Sequence, residues 1–331
     1  MSENKSPFGA GRVAVYAAVA ALVGLAAAGV IGPHRHAAPA DQLVLKVGNQ
    51  VGGTRAVMEA AGVLKDTPYR IEWSLFPAAS PLLEALGAGA VDTGGVGDAP
   101  FAFAYASGAK IRAVQAFRYV GDTRAAAILV PANSPLRTLA DLKGRKLATV
   151  RGSAGQDLVL RLLERAGLKA SDVKFIYLSN GDAKAALASG QIDAWSTWAS
   201  YVGIALLHDH DRALADATGF PPGLGFQVAT DSAIANKRAI LADFLHRLVL
   251  AYAWAEQHPD AHAAVLARET GLPVDVARFT VRPVYKPEPI GPNVAAEERE
   301  LFERYRRAGL ISQIPDLDGA FDASFNPKTH P

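Results

Sequence analysis

The chain of 331 residues reads as an α/β protein of two lobes, with two parallel-rich sheets, a hinge and a central cleft. Three observations predict this. Strand-like and helix-like segments alternate along most of the chain, which implies parallel sheets. The length exceeds what one hydrophobic core usually encloses. A Gly-rich bend followed by a Gly-x-aliphatic-Asp element also occurs twice. Val47-Gly48-Asn49-Gln50-Val51-Gly52-Gly53 precedes Leu86-Gly87-Ala88-Gly89-Ala90-Val91-Asp92, and Val150-Arg151-Gly152-Ser153-Ala154-Gly155 precedes Leu187-Ala188-Ser189-Gly190-Gln191-Ile192-Asp193 at nearly the same spacing. Each copy has the length of one β-α-β-α unit.

The first forty residues stand apart. Lys5 and Arg12 precede an uncharged run from Val13 to Ile31, and Ala38-Pro39-Ala40 places small residues where a signal peptidase cleaves. Residues 1–40 read as a signal peptide cleaved before Asp41, or as a membrane anchor through residues 13–31, since the run borders on spanning length. Either way the globular part lies outside the cytoplasmic membrane, and a periplasmic location is expected.

In the body, Leu43 to Val47 is a short apolar strand and Thr54 to Leu64 a helix. Tyr69, Ile71, Trp73 and Leu75 alternate with polar residues, the period of a strand. Ser80-Pro81 reads as an N-cap with proline after it, starting a helix from Pro81 to Gly87. Asp98 reads as the N-cap of a helix through Ala106, which Gly108 ends. Ala126 to Val130 is a strand, and Pro131 to Pro135 reads as a crossing between lobes. Lys146 to Val150 opens the second half, Asp157 to Ala166 carries apolar residues at helical spacing, Val173 to Leu178 is a strand and Asp182 to Ser189 a helix. Ile192 to Thr197 delivers Trp195 and Trp198. Gly219 to Gly225 reads as the return crossing. Arg238 to Gln257, Pro259 to Glu269 and Val294 to Ala308 are helices, the last capped by Asn293. The resulting lobes are 41–129 with 226–331, and 130–225.

Charge is nearly balanced at +2, without the clustered cations that phosphate backbones select, so no nucleic-acid partner is expected. With no cysteine in the chain, disulfides, thiolate metal sites and a cysteine nucleophile are excluded. With no coiled-coil heptads a globular body is expected, and the protein is expected to be a monomer. In open sheets of this kind ligands sit beyond the carboxyl ends of the strands, where the Gly-rich bends fall. Helix starts there present backbone amides to an anion. Gly52 and Gly152 mark the two opposed starts, and Gln50, Ser80 and Ser153 offer neutral hydrogen-bonding groups for anion oxygens. Trp198 reads as a cleft wall; Trp195 serves equally as core. No Gly-Lys-Ser/Thr follows the loops, so they are not nucleotide-binding loops. His208-Asp209-His210-Asp211 reads as a solvated loop, Asp92 and Asp193 as turn residues. No catalytic set, cofactor or metal is expected.

Phe76-Pro77-Ala78 with Leu83-Glu84-Ala85-Leu86, Val96-Gly97-Asp98, Asp141-Leu142-Lys143-Gly144, Gly152-Ser153, Ala166-Gly167-Leu168 and Gly190-Gln191-Ile192-Asp193-Ala194-Trp195 with Trp198 resemble the aliphatic sulfonate-binding proteins of bacterial ABC importers. The wider family includes taurine and nitrate receptors. The resemblance covers nearly all of the chain after Ala40. It implies a type II periplasmic binding protein that closes on its ligand by hinge motion, takes a small anionic solute of the sulfonate class and passes it to a membrane permease. By resemblance Gln50, the Ser80 helix start, Gly97, Asp98, Gly152, Ser153 and Trp198 line the site. The chain departs from the family at Val51, where relatives carry lysine, at Ala199-Ser200, where they carry Asp-Pro, and at Ala154-Gly155-Gln156-Asp157 after the Gly-Ser pair.

Overall fold

The computed structural model describes residues 43–51 and 53–326, so the export segment and Gly52 lie outside the described residues. The chain begins β1 (Val44–Gln50), α1 (Thr54–Ala60), β2 (Arg70–Phe76), α2 (Ala79–Gly87), β3 (Thr93–Gly97), α3 (Asp98–Ala106) and β4 (Ile111–Val120). β1 lies between β2 and β3, parallel to both. The plan then recurs in β5 (Ala126–Val130), β6 (Lys146–Thr149), α4 (Ala154–Arg165), β7 (Lys174–Tyr177), α5 (Asn180–Ala188), β8 (Ala194–Trp198), α6 (Ser200–Leu207) and β9 (Arg212–Asp216). Here β6 takes the place of β1, parallel to β7 and β8.

The duplication extends to single bonds. Asp92 Oδ2 accepts from the Lys46 amide at 2.7 Å and Asp193 Oδ2 from the Lys146 amide at 2.8 Å. The glycine before each, Gly89 and Gly190, is left-handed at φ +70°, the geometry that ends a helix most cheaply without a side chain. Both aspartates thus clip the turn into a central parallel strand.

The chain returns through β10 (Leu224–Thr230), α7 (Asp231–Asn236), α8 (Arg238–Gln257), α9 (Pro259–Thr270), α10 (Val274–Thr280), β11 (Val284–Glu288) and α11 (Pro292–Arg307). The sheet orders are β11-β4-β10-β3-β1-β2 and β7-β6-β8-β5-β9. Both sheets are mixed: the parallel strands of each are completed by antiparallel ones, β10, β4 and β11 in the first and β5 and β9 in the second. β5 pairs with β8 and β9, so the outward crossing falls before Ala126, and residues 126–129 belong with the second sheet rather than the first. The segment 131–135 is a loop within the second lobe.

Helix starts also differ from expectation: α4 and α5 begin earlier, at Ala154 and Asn180, and α3 is capped by Gly97, so Asp98 is its first helical residue. α2 begins at Ala79 with Ala78 as its N-cap, placing Ser80 inside the first turn. Proline tolerates this, because a first-turn amide has no partner to lose. α11 starts at Pro292 with Gly291 as its cap, so Asn293 is helical.

Apolar residues cover both faces of both sheets. Leu82, Phe101, Phe226 and Phe302 pack on one face of the first sheet and Leu45, Val47, Phe244 and Leu248 on the other. Leu129, Leu187 and Trp195 take one face of the second sheet, and Ile128, Leu147, Val159 and Leu162 its reverse. Full burial of each such side chain stabilises the fold by about 1.5–3 kcal/mol before conformational entropy is set against it. The lobes also touch outside the crossings. Leu160 of α4 enters the core around Phe101 and Tyr305, and Gly203 of α6 lies so close to Phe279 of α10 that an added Cβ would stand 3.0 Å from its ring. No helix among the described residues is long and apolar enough to cross a membrane.

Candidate functional site

The carboxyl ends of the two parallel triplets meet where Phe103 of α3 lies on Gly152, just beyond β6. Gly152 is left-handed at φ +67°, and a Cβ there would come within 2.7 Å of the Phe103 ring. Only glycine lets the two lobes approach this closely.

Around this contact the helix starts fall into two classes. Ser179 caps α5, and Ser153 caps α4, each accepting a backbone N–H of its helix, as Thr230 does for α7 at the opposite end of the first sheet. The helices α1, α2 and α6, which follow β1, β2 and β8, have no side chain on their N-cap residues Gly53, Ala78 and Ala199 that accepts such a bond. First-turn amides left without a side-chain cap are the groups that bind anions in other proteins. At α1 the Arg55 amide is already taken by Asn49 Oδ1 at 3.0 Å. At α6 the turn is held by Ala199 at φ +52°, a left-handed conformation uncommon for alanine. Its amide donates to Ala125 O at 2.6 Å, fixing the helix start to the crossing.

Gln50 ends β1 half-buried, and its Nε2 donates to Gly95 O at 2.9 Å. Ser80 is exposed in the first turn of α2. Gly97 caps α3. Asp98 follows, accepting from the Ala99 amide at 2.7 Å and the Leu224 amide at 3.3 Å. Trp198 ends β8 half-buried, whereas Trp195 is fully buried and belongs to the core. Gly152 and Ser153 are engaged within their own loop. The Gly152 amide donates to Gln156 Oε1 at 2.7 Å. The Ser153 hydroxyl donates to Val150 O at 2.6 Å and accepts from the Gln156 amide at 3.3 Å, as the N-cap of α4. In the described arrangement the Gly152 amide and the Ser153 hydroxyl are thus both taken.

Residues that the sequence pattern did not single out complete the surroundings. Tyr119 leans over Gly225, where an added Cβ would lie 2.1 Å from its hydroxyl. Its ring meets Tyr285 edge-on at 4.9 Å, and Tyr285 stacks on Tyr252 at 4.6 Å. Burial raises the pKa of all three phenols, so they remain neutral hydrogen-bond donors at physiological pH. Arg151 stands exposed between Phe103 and Tyr177. Behind Tyr177 a hollow of about 210 Å³ is lined by Gln156, Leu160, Phe175 and Leu310. It lies against the end of α11, not between the strand ends. Among the described residues no group of three His, Cys, Asp or Glu could hold a metal ion. His208 pairs with Asp275, and Asp209 with Lys184.

An acidic cluster lies where α3, α4 and α11 meet. Asp98 is pushed up to about 6, chiefly by burial and next by the charge of Asp157. Glu298 is pushed well above the ordinary carboxylate range by burial, with Asp98 and Asp157 adding to it. The folded protein therefore holds the Asp98 proton up to about pH 6, while the unfolded chain releases it near the ordinary 3.8. Between these values folding takes up a proton, so this group's contribution to stability falls as pH rises through that window. Thermal melts of wild type and Asp98→Asn are expected to diverge there: the melting temperature of wild type drops relative to the variant from about pH 4 to pH 6 and then runs parallel. Parallel curves throughout would remove the assignment.

The sequence comparisons bear on this geometry directly. A family model described as NMT1/THI5 like matches residues 77–262, more than half of the chain. A protein of Escherichia coli (strain K12) that carries the name aliphatic sulfonates-binding protein is 33% identical over 307 residues, covering 89% of this chain and 94% of that protein. The chain belongs to the NMT1/THI5-like family.

Solved structures agree with that membership. The alkanesulfonate-binding protein SsuA from Xanthomonas axonopodis pv. citri, bound to MOPS, is 31% identical with a TM-score of 0.78, over 85% of this chain and 99% of that one. The periplasmic aliphatic sulphonate binding protein SsuA from Escherichia coli is 33% identical with a TM-score of 0.75, over 84% and 96% respectively. These relatives are binding proteins, and the two-lobed fold with its cleft is the fold of this chain.

Proposed function

We propose that this protein is an extracytoplasmic solute-binding protein that captures a small aliphatic sulfonate or related organosulfur anion for an ABC permease in the membrane. The observation that carries the reading is a helix start without a side-chain cap in each lobe, at the ends of strands β2 and β8. Amides suit a head group with three acceptor oxygens, and the half-buried aromatic residues Trp198 and Tyr119 suit its organic remainder. Ligand favours closure only through tighter binding to the closed form, which makes lobe closure legible to a permease. Residues 1–40 direct export in this reading, and the protein acts as a carrier and not as an enzyme, in keeping with the binding proteins it resembles.

Thermal-shift titration tests it with ethanesulfonate, taurine, MOPS and nitrate. A ligand present at a hundredfold over its Kd adds about 2.7 kcal/mol of stability, so at least one sulfonate is expected to raise the melting temperature by several degrees. A rise with nitrate alone, or with none of the four, would count against the sulfonate reading.

A further inference from the structure

We propose that Arg151 supplies the positive charge to the bound anion, its guanidinium being held between Phe103 and Tyr177 until the ligand replaces them. The assignment rests on the anion-capture reading above and names the side chain that performs it in the second lobe.

The need for such a residue follows from the neighbouring bonds. The Gly152 amide is spent on Gln156 Oε1 and the Ser153 hydroxyl on Val150 O, so neither supplies the charge that an anion needs, and the loop after β6 carries one cation, Arg151. Most arginines near this region are already committed. Arg55 at the start of α1 pairs with Glu59 at 2.7 Å, Arg118 with Glu288 and Glu297, and Arg161 and Arg304 with Asp157.

Arg151 differs. Among the described residues no carboxylate pairs with it, and its guanidinium lies 5.3 Å from the Tyr177 ring centre and 6.0 Å from that of Phe103. These separations are near the outer limit of cation–π attraction. Such contacts orient a cation without satisfying its five N–H donors, and a sulfonate offers the paired oxygens that a guanidinium fork binds best. One ring belongs to α3 and the other to β7. The adjoining Gly152 brings the backbone against Phe103, so Arg151 stands where the lobes meet and its engagement by ligand would draw on both.

The test is calorimetric titration of purified wild type, Arg151→Gln and Arg151→Lys with the sulfonate that gives the largest thermal shift. Arg151→Gln is expected to weaken binding tenfold or more, as removal of a charge-assisted pair does, and to flatten the salt dependence of the affinity. Arg151→Lys, which keeps the charge but loses the fork, is expected to fall between. Arg165→Gln serves as control, since Arg165 lies over Phe220 in an unrelated part of the second lobe, and its affinity is expected to match wild type. Melting temperatures without ligand should agree, because the side chain is exposed. If Arg151→Gln binds within twofold of wild type, the assignment falls and the capture reading stands. If wild type binds no sulfonate, the capture reading falls and takes the assignment with it. Should Arg151→Gln melt early, Arg151→Lys decides: an affinity equal to wild type with an unchanged salt slope overturns the role of the fork, and a loss supports it.

Discussion

Replacing Gly152 with alanine is expected to lower stability by about 2–4 kcal/mol and to weaken sulfonate binding at least tenfold. Two costs combine. The residue sits at φ +67°, where a side chain is strained, and its Cβ would stand 2.7 Å from Phe103 Cγ and 2.9 Å from Cδ1. Phe103 belongs to the first lobe and Gly152 to the second, so the added methyl acts as a wedge and opposes closure directly. The two costs are separable by a double-mutant cycle. Phe103→Ala in the Gly152→Ala background should restore binding in part, by removing the steric cost, while the backbone cost remains in the melt. Urea unfolding and calorimetry of the four proteins provide the numbers. Additive losses would mean that the contact between the lobes is not the cause.

The second large effect is expected at Arg304. Its Nη1 lies 2.7 Å from Asp157 Oδ1, with side chains 12% and 9% exposed, and the pair ties α11 to α4. Arg304→Met leaves Asp157 among the acids Asp98 and Glu298 with only Arg161 at 3.8 Å to compensate. Removing one partner of a buried pair costs about 3–5 kcal/mol. The remaining arginine argues for the lower end, a fall in melting temperature of roughly 6–12 °C. Asp157→Asn combined with Arg304→Met should lose less than Arg304→Met alone, because no charge is then stranded. A double variant less stable than the single would show that packing of the arginine stem, and not its charge, holds the two helices.

The two β-α-β-α-β units were legible in the sequence because their signals are local. Gly89 and Gly190 stop helices by backbone geometry, Asp92 and Asp193 clip the next strand, and both devices lie within a few residues of what they fix. The strands β4 and β10 gave no such signal. β4 is buried along most of its length and β10 throughout, so neither alternates between apolar and polar positions and the period that identifies a strand is missing. The mixed character of both sheets was hidden for that reason. β5 was recognised as a strand but assigned to the wrong sheet, because its partners β8 and β9 lie far along the chain and pairing is a tertiary property.

The candidate site is legible by region more than by residue. The bend at Gly152 and Ser153 follows β6, and Trp198 and Asp98 stand at the ends of β8 and β3. Ser153 has the composition of an anion ligand and of an N-cap alike, and only the position of Val150 O and the Gln156 amide assigns it to the cap. Arg151 stood inside the bend from the outset, yet its lack of a carboxylate partner depends on groups from α3 and β7 that no local pattern brings to it.

Hydrogen exchange followed by mass spectrometry, with and without a saturating sulfonate, tests the central claim most directly. Capture between the lobes predicts that amides at the start of α2 in the first lobe and of α6 in the second slow together when ligand is added. The starts of α5 and α7, already capped by Ser179 and Thr230, should keep their rates. Protection confined to one lobe, or equal at capped and uncapped helix starts, would contradict the account.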